Sequence, residues 1–128
     1  MSDDAIRFTA LVADDNYYNR DLCKVALDHV GYDVIEAEDG EAALTMLHEQ
    51  SCDLLILDLA MPRVDGLAVL REIRGNTYYD ALPIIVLTAN PHMTGEVTAL
   101  GTDYVLYKPI DIAVFAQLAE RLKRKFSH

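Results

Sequence analysis

The sequence predicts a three-layer α/β/α sandwich around a five-stranded parallel sheet. Three observations predict it. Strand-like and helix-like signals alternate five times, the pattern of repeated β-α units joined by right-handed crossovers. The strand candidates at 8–13, 54–57, 84–87 and 104–107 are short apolar runs, as expected of strands covered on both faces. At 128 residues and 52% hydrophobic, the chain suits a single domain over 1–128, with its core over 8–126.

The elements follow in order. A strand near 7–13 leads into a helix near 17–30, where Leu22, Val25, Ala26, His29 and Val30 recur at helical spacing and predict the inner face. Gly31 is placed to end that helix in a left-handed conformation. Asp33-Val34-Ile35-Glu36-Ala37 alternates polar and apolar, as a half-exposed strand does. Asp39 can cap a helix near 40–50 that turns Ala43, Leu44 and Leu47 inward. The third strand, near 53–57, carries no charge between its flanking aspartates and reads as the most buried. Met61-Pro62 breaks the chain after it. A helix near 65–74 presents Leu67, Leu70 and Ile73. Pro83 stands at the entry of the fourth strand, where a missing N–H is tolerated. A short helix near 94–100 stops at Gly101. A fifth strand near 103–107 runs into Lys108-Pro109. The last helix, near 111–126, is capped by Asp111 and carries the stripe Phe115, Leu118, Ala119, Leu122, Phe126.

Composition narrows the function. A net charge of −10 argues against direct nucleic-acid binding, which needs a basic face. The one basic cluster, Arg121, Lys123, Arg124 and Lys125, falls in the last turns of the final helix, where cations suit the helix dipole. No apolar run approaches the roughly 20 residues of a membrane span. The acidic start, Met1-Ser2-Asp3-Asp4, has no signal-peptide pattern. A cytoplasmic location is expected, with no membrane partner. Cys23 and Cys52 lack C-x-x-C spacing and fit packing roles in a reducing compartment, and His29, His48, His92 and His128 show no metal-ligand spacing.

The chemistry lies at the ends of the apolar runs. Asp14 and Asp15 follow the first, Asp58 the third, Thr88 the fourth and Lys108 the fifth. Parallel strands deliver their C-terminal ends to one sheet edge, where ligands bind in open α/β sheets. These residues should therefore converge. Three crowded carboxylates repel one another unless a cation intervenes, and hard oxygen donors suit Mg²⁺. A carboxylate can attack phosphorus to give an aspartyl phosphate, and Asp58 leaves the central strand. Lys108 offers countercharge to the phosphoryl oxygens, Thr88 a hydroxyl donor, and the small Ala89 an open approach. Ala60 and Asn90 flank the site and are expected to affect water access.

The segments Leu-Val-Ala-Asp-Asp-Asn at 11–16, Leu-Asp-Leu-Ala-Met-Pro-Arg-Val-Asp-Gly at 57–66, Leu-Thr-Ala at 87–89 and Lys-Pro at 108–109 together resemble the receiver domain of two-component response regulators. The resemblance covers about residues 9–126. Asn16, Asn19 and Arg20 are most similar to stand-alone and hybrid-kinase receivers. The resemblance implies a flavodoxin-like, doubly wound sheet of order 2-1-3-4-5. It implies that Asp58 is the phosphoacceptor, that Asp15, Asp58 and the backbone carbonyl of Ala60 hold Mg²⁺, and that Asp14 helps through water. Lys108 would contact the phosphoryl group and Thr88 would move towards it. The Lys108–Pro109 bond would be cis. The donor would be a phosphohistidine on a histidine kinase or histidine phosphotransfer protein, docked near Tyr17, Tyr18, Leu22 and Ile110. Such a domain is a phosphoacceptor rather than an enzyme in the usual sense; it assists only its own phosphotransfer and dephosphorylation, and it signals to a downstream protein.

Two departures from the family pattern fall on its usual output face. Val105 stands where the family has Tyr or Phe, between Tyr104 and Tyr107, so there is no ring to swing inward. The stretch from Thr88 to Gly101 is short, with Asn90-Pro91-His92 and Gly95 in it. Phosphorylation is therefore expected to order the loop at 88–93 but to signal through another surface. Three alternatives fare worse. A phosphatase of the haloacid dehalogenase type needs a second aspartate two residues after its nucleophile, and Ala60 is there. A flavin-binding domain would have its phosphate repelled by Asp14 and Asp15. A pure interaction module would have lost an acceptor, an acidic residue or the lysine.

Overall fold

A computed structural model describes residues 7–61 and 65–126. Met1-Ser2-Asp3-Asp4, Pro62 and His128 lie outside the described residues, as do the side chains of Arg124, Lys125 and Phe126. The elements run β1 (Phe8–Ala13), α1 (Tyr17–His29), β2 (Tyr32–Ala37), α2 (Gly40–Glu49), β3 (Leu54–Asp58), α3 (Gly66–Arg74), β4 (Ile84–Thr88), α4 (Thr94–Leu100), β5 (Tyr104–Tyr107) and α5 (Ile112–Phe126). Single 3₁₀ turns sit at Thr77–Tyr79 and Pro91–Met93.

The sheet is parallel throughout, in the order β2-β1-β3-β4-β5. This is the doubly wound order anticipated from the sequence. β3 and β4 are buried at every position, because helices cover both faces. Edge strand β2 is only partly buried, which accounts for its alternating sequence. Two apolar layers flank the sheet. One gathers Leu11, Leu55, Leu57, Leu70, Ile73, Ile84 and Val86 beneath α2 and α3. The other gathers Val12, Leu27, Ile56, Ile85, Leu87, Phe115 and Leu122 beneath α1 and α5. Each fully buried leucine or isoleucine contributes about 1.5–3 kcal/mol, so these layers hold the sheet edge rigid.

The helix ends follow the chemistry of their sequences. Asn16, Asp39 and Asp65 each accept a hydrogen bond from the backbone N–H three residues on and start α1, α2 and α3. Asp111 Oδ1 accepts from the amides of Ala113 and Val114 and starts α5. Gly31 and Gly101 end α1 and α4 at φ of 101° and 100°, a region most side chains avoid.

Two inner faces differ from expectation. On α1, Leu22 and Val25 are exposed at 47% and 62%, and His29 is exposed as well. Ala26 and Val30 of the expected face do pack inward, half-buried, but the fully buried residues are Cys23 and Leu27. Both stripes have helical spacing, so periodicity alone could not choose between them. Arg20, whose Nη1 donates to the Asp14 carbonyl at 2.8 Å, fixes the rotation of the helix, and the small Cys23 and Ala26 allow close approach to the sheet. On α3 the buried residues are Val69, Leu70 and Ile73, with Leu67 only half-buried at the rim.

Candidate functional site

Asp14, Asp15 and Asp58 meet at the C-terminal edge of the sheet. One carboxylate oxygen from each lies within 4.8 Å of the others. β1 and β3 are direct neighbours, with Ala13 paired to Leu57, so the residue after each reaches the same edge. Asp14 and Asp58 are almost fully buried, whereas Asp15 is exposed. Lys108 enters from the end of β5, its Nζ 3.3 Å from Asp58 Oδ1 and 3.7 Å from Asp14 Oδ2. The Lys108–Pro109 bond is cis.

The buried pair is under electrostatic stress. Asp58 Oδ1 accepts from the Ala60 amide at 3.2 Å, and Asp14 Oδ1 from the Asn16 amide at 2.9 Å. Among the described residues, Oδ2 of each carboxylate has no hydrogen-bond partner. A buried carboxylate oxygen without a donor is costly. Burial, and then the Asp14 carboxylate, push the Asp58 pKa up to about 6, while Lys108 opposes the rise. The same surroundings, burial first and Asp14 second, push the buried Cys23 thiol up to about 12 and keep it unreactive. Two orphaned oxygens and a third carboxylate open to solvent form a hard-oxygen donor set that fits a divalent cation.

Thr88 is buried at the end of β4, where its Oγ1 accepts from the Asn90 amide at 2.9 Å. Ala89, which follows it, is exposed. Gly66 was legible only as part of a motif, yet its role is local and steric. A Cβ there would lie 2.3 Å from the Asp58 carbonyl oxygen, so α3 can start against the loop after β3 only with glycine. Arg20 supports the site from beneath: it holds the Asp14 carbonyl, pairs with Glu36 at 3.1 Å and lies 5.8 Å from the Tyr17 ring. Its family position was a signal, but nothing in the sequence disclosed these partners.

Tyr17, Tyr18 and Leu22 are exposed on α1 beside the carboxylates, and Ile110 is half-buried against the α1–α5 layer. A separate cleft of about 590 Å³, lined by His48, Cys52, Tyr78 and Tyr79 among others, opens at the opposite edge, where β3 and β4 begin. It is remote from the carboxylate cluster.

A family model described as the response regulator receiver domain matches residues 10–120. The chain belongs to that family. Phosphorylation-dependent signalling is the family's general function. The receiver domain of the Francisella response regulator 1452 superposes with a TM-score of 0.86 at 27% identity, over 94% of this chain and 99% of that one. Response regulator MprA of Mycobacterium tuberculosis is 40% identical over 117 residues, which are 89% of this chain and 50% of MprA. Sensor protein EvgS of Escherichia coli O157:H7 is 41% identical over 110 residues, 84% of this chain and 9% of that protein. This receiver therefore spans half or less of these curated relatives. Receiver domains act with histidine kinases or phosphotransfer partners. No helix among the described residues is long and apolar enough to cross a membrane.

Proposed function

We propose that Asp58 accepts a phosphoryl group from a phosphohistidine donor and that its phosphorylated form changes partner binding in a phosphorelay. The convergence of Asp14, Asp15, Asp58 and Lys108 on one point carries this reading. An Asp58 carboxylate oxygen attacks phosphorus, the P–N bond to the donor imidazole breaks, and its electron pair stays on the imidazole nitrogen. With a pKa of about 6, Asp58 is mostly ionised near pH 7 and can act as this nucleophile. Lys108, 3.3 Å away, balances the carboxylate before transfer and the phosphoryl oxygens after it. Asp15, Asp58, the Ala60 carbonyl and, through water, Asp14 would hold Mg²⁺. When bound, that ion supplies countercharge to the carboxylates and to a phosphoryl oxygen. The Thr88 hydroxyl donates to another oxygen, and Ala89 leaves the approach open.

The donor is a histidine kinase or histidine phosphotransfer protein that docks over Tyr17, Tyr18 and Leu22, with Ile110 and Pro109 at its border. The exposed rings beside the carboxylates support this placement. The output is a downstream signalling protein. The domain assists its own phosphorylation and dephosphorylation and has no separate substrate. A cytoplasmic setting, with the thiols Cys23 and Cys52 unpaired, is part of the same reading.

The test is incubation with acetyl phosphate and Mg²⁺, read by intact mass. The expected result is a gain of one phosphoryl group that is lost on Asp58→Asn. No gain from any small donor or from a phosphohistidine protein would leave an interaction module instead. Phosphorylation should also change amide-exchange protection at 88–93, and an unchanged pattern there would remove the proposed role of that loop.

A further inference from the structure

Thr88 and Tyr107 are paired residues at the ends of β4 and β5, so their side chains leave the same face of the sheet. The Lys108 amide donates to the Thr88 carbonyl at 2.9 Å and holds that register. A chain of hydrogen bonds also joins the two side chains the long way round. Thr88 Oγ1 accepts from the Asn90 amide at 2.9 Å and donates to the Asn90 carbonyl at 3.4 Å. Asn90 in turn accepts from the His92 amide through its side chain and from the Met93 amide through its carbonyl, which builds the 3₁₀ turn. The Thr94 hydroxyl donates to the Pro91 carbonyl at 2.8 Å and is hydrogen-bonded to the Tyr107 hydroxyl. Because Thr94 has one hydroxyl proton and gives it to Pro91, Tyr107 must be the donor in the last bond.

Thr88 Oγ1 is held chiefly by the Asn90 amide at 2.9 Å, with the Asn90 carbonyl at a longer 3.4 Å. To donate to a phosphoryl oxygen on Asp58, the Thr88 hydroxyl must turn away from Asn90; the Asn90 amide then loses its acceptor and segment 90–94 must re-seat. The Tyr107–Thr94 bond fastens the far end of this segment, at the first residue of α4, to β5.

We propose that Tyr107 is a positioning residue that holds segment 90–94 in its resting arrangement and so opposes capture of the phosphoryl group by Thr88. The proposal rests on Asp58 being the phosphoacceptor. It assigns the coupling to a residue that stands beside Thr88 on β5, two positions after Val105 on the same face.

The test is the apparent affinity of the whole chain for beryllofluoride with saturating Mg²⁺, followed by NMR. The proteins compared are the wild type, Tyr107→Phe, Thr94→Val and the double variant. Removing one ordinary hydrogen bond that favours the resting state should tighten binding by about fivefold in Tyr107→Phe. The same substitution should change nothing in the Thr94→Val background. In the wild type, the Asn90 amide should exchange faster once beryllofluoride is bound, because it loses its acceptor. Equal or weaker binding by Tyr107→Phe, or an undiminished effect in the Thr94→Val background, overturns the proposal. A wild-type chain that binds no beryllofluoride overturns the phosphoacceptor reading and this proposal together.

Discussion

Asp58→Asn in metal-free buffer should make the fold more stable while abolishing phosphorylation. Asp58 is 2% exposed, and burial beside Asp14 raises its pKa from the ordinary 3.8 to about 6. That displacement of about 2.2, at about 1.36 kcal/mol per pH unit, comes to about 3 kcal/mol at neutral pH. The sign follows from proton binding. Between about pH 4 and pH 6 the folded chain binds more protons at this carboxyl than the unfolded chain does, so stability falls as pH rises through that window. Above it, the cost of a buried, repelled carboxylate is present in full. The neutral amide escapes this cost, and Lys108 keeps Asp14 as a partner. The assay is urea unfolding followed by circular dichroism at pH 4, 5, 6 and 7 in EDTA. The variant should match the wild type near pH 4 and exceed it by up to about 3 kcal/mol at pH 7, roughly a 10 °C rise in Tm. Saturating Mg²⁺ should narrow the gap, because the cation relieves the wild-type repulsion. A variant no more stable than the wild type at pH 7, or a gap independent of pH, would refute the electrostatic account of the site.

Three further outcomes follow from the same geometry. Mg²⁺ at a hundredfold excess over its Kd should stabilise the wild type by about 2.7 kcal/mol, and Asp15→Asn should remove most of that gain in a thermal-shift titration. Gly66→Ala should cost about 1–3 kcal/mol in urea unfolding, because the added Cβ lies 2.3 Å from the Asp58 carbonyl oxygen and backbone must move; an unchanged midpoint would show that α3 can shift freely. Arg74 donates to the carbonyls of Gly101, Tyr79 and Leu82 at 2.7–2.8 Å, so Arg74→Ala should cost about 2–4 kcal/mol and speed amide exchange around 100–103, where the loop into β5 loses its anchor.

Elements were legible where one rule acted alone. The runs ending in Asp58 and Thr88 are apolar because helices cover both faces of their strands, whereas the run ending in Lys108 is an edge strand that is only partly buried; a parallel sheet still brings all these ends together. Asp39 and Asp111 were legible as caps, since a carboxylate just before a helix meets free backbone amides. Rotation about a helix axis was not legible. The two stripes of α1 have equal periodicity, and the contact between Arg20 and the Asp14 carbonyl, with the packing of Cys23 and Ala26 on the sheet, chose between them. The sequence by itself determined the fold class and which carboxylates share an edge, because both depend on periodicity and chain direction; the sheet order was implied only by the resemblance of its motifs to a known family. Only the tertiary structure decided which oxygens are left without donors, how far Asp58 resists ionisation, and that Thr88 is tied to Tyr107 through segment 90–94. Those depend on distances between residues far apart in the chain, which burial and packing set and no local pattern records.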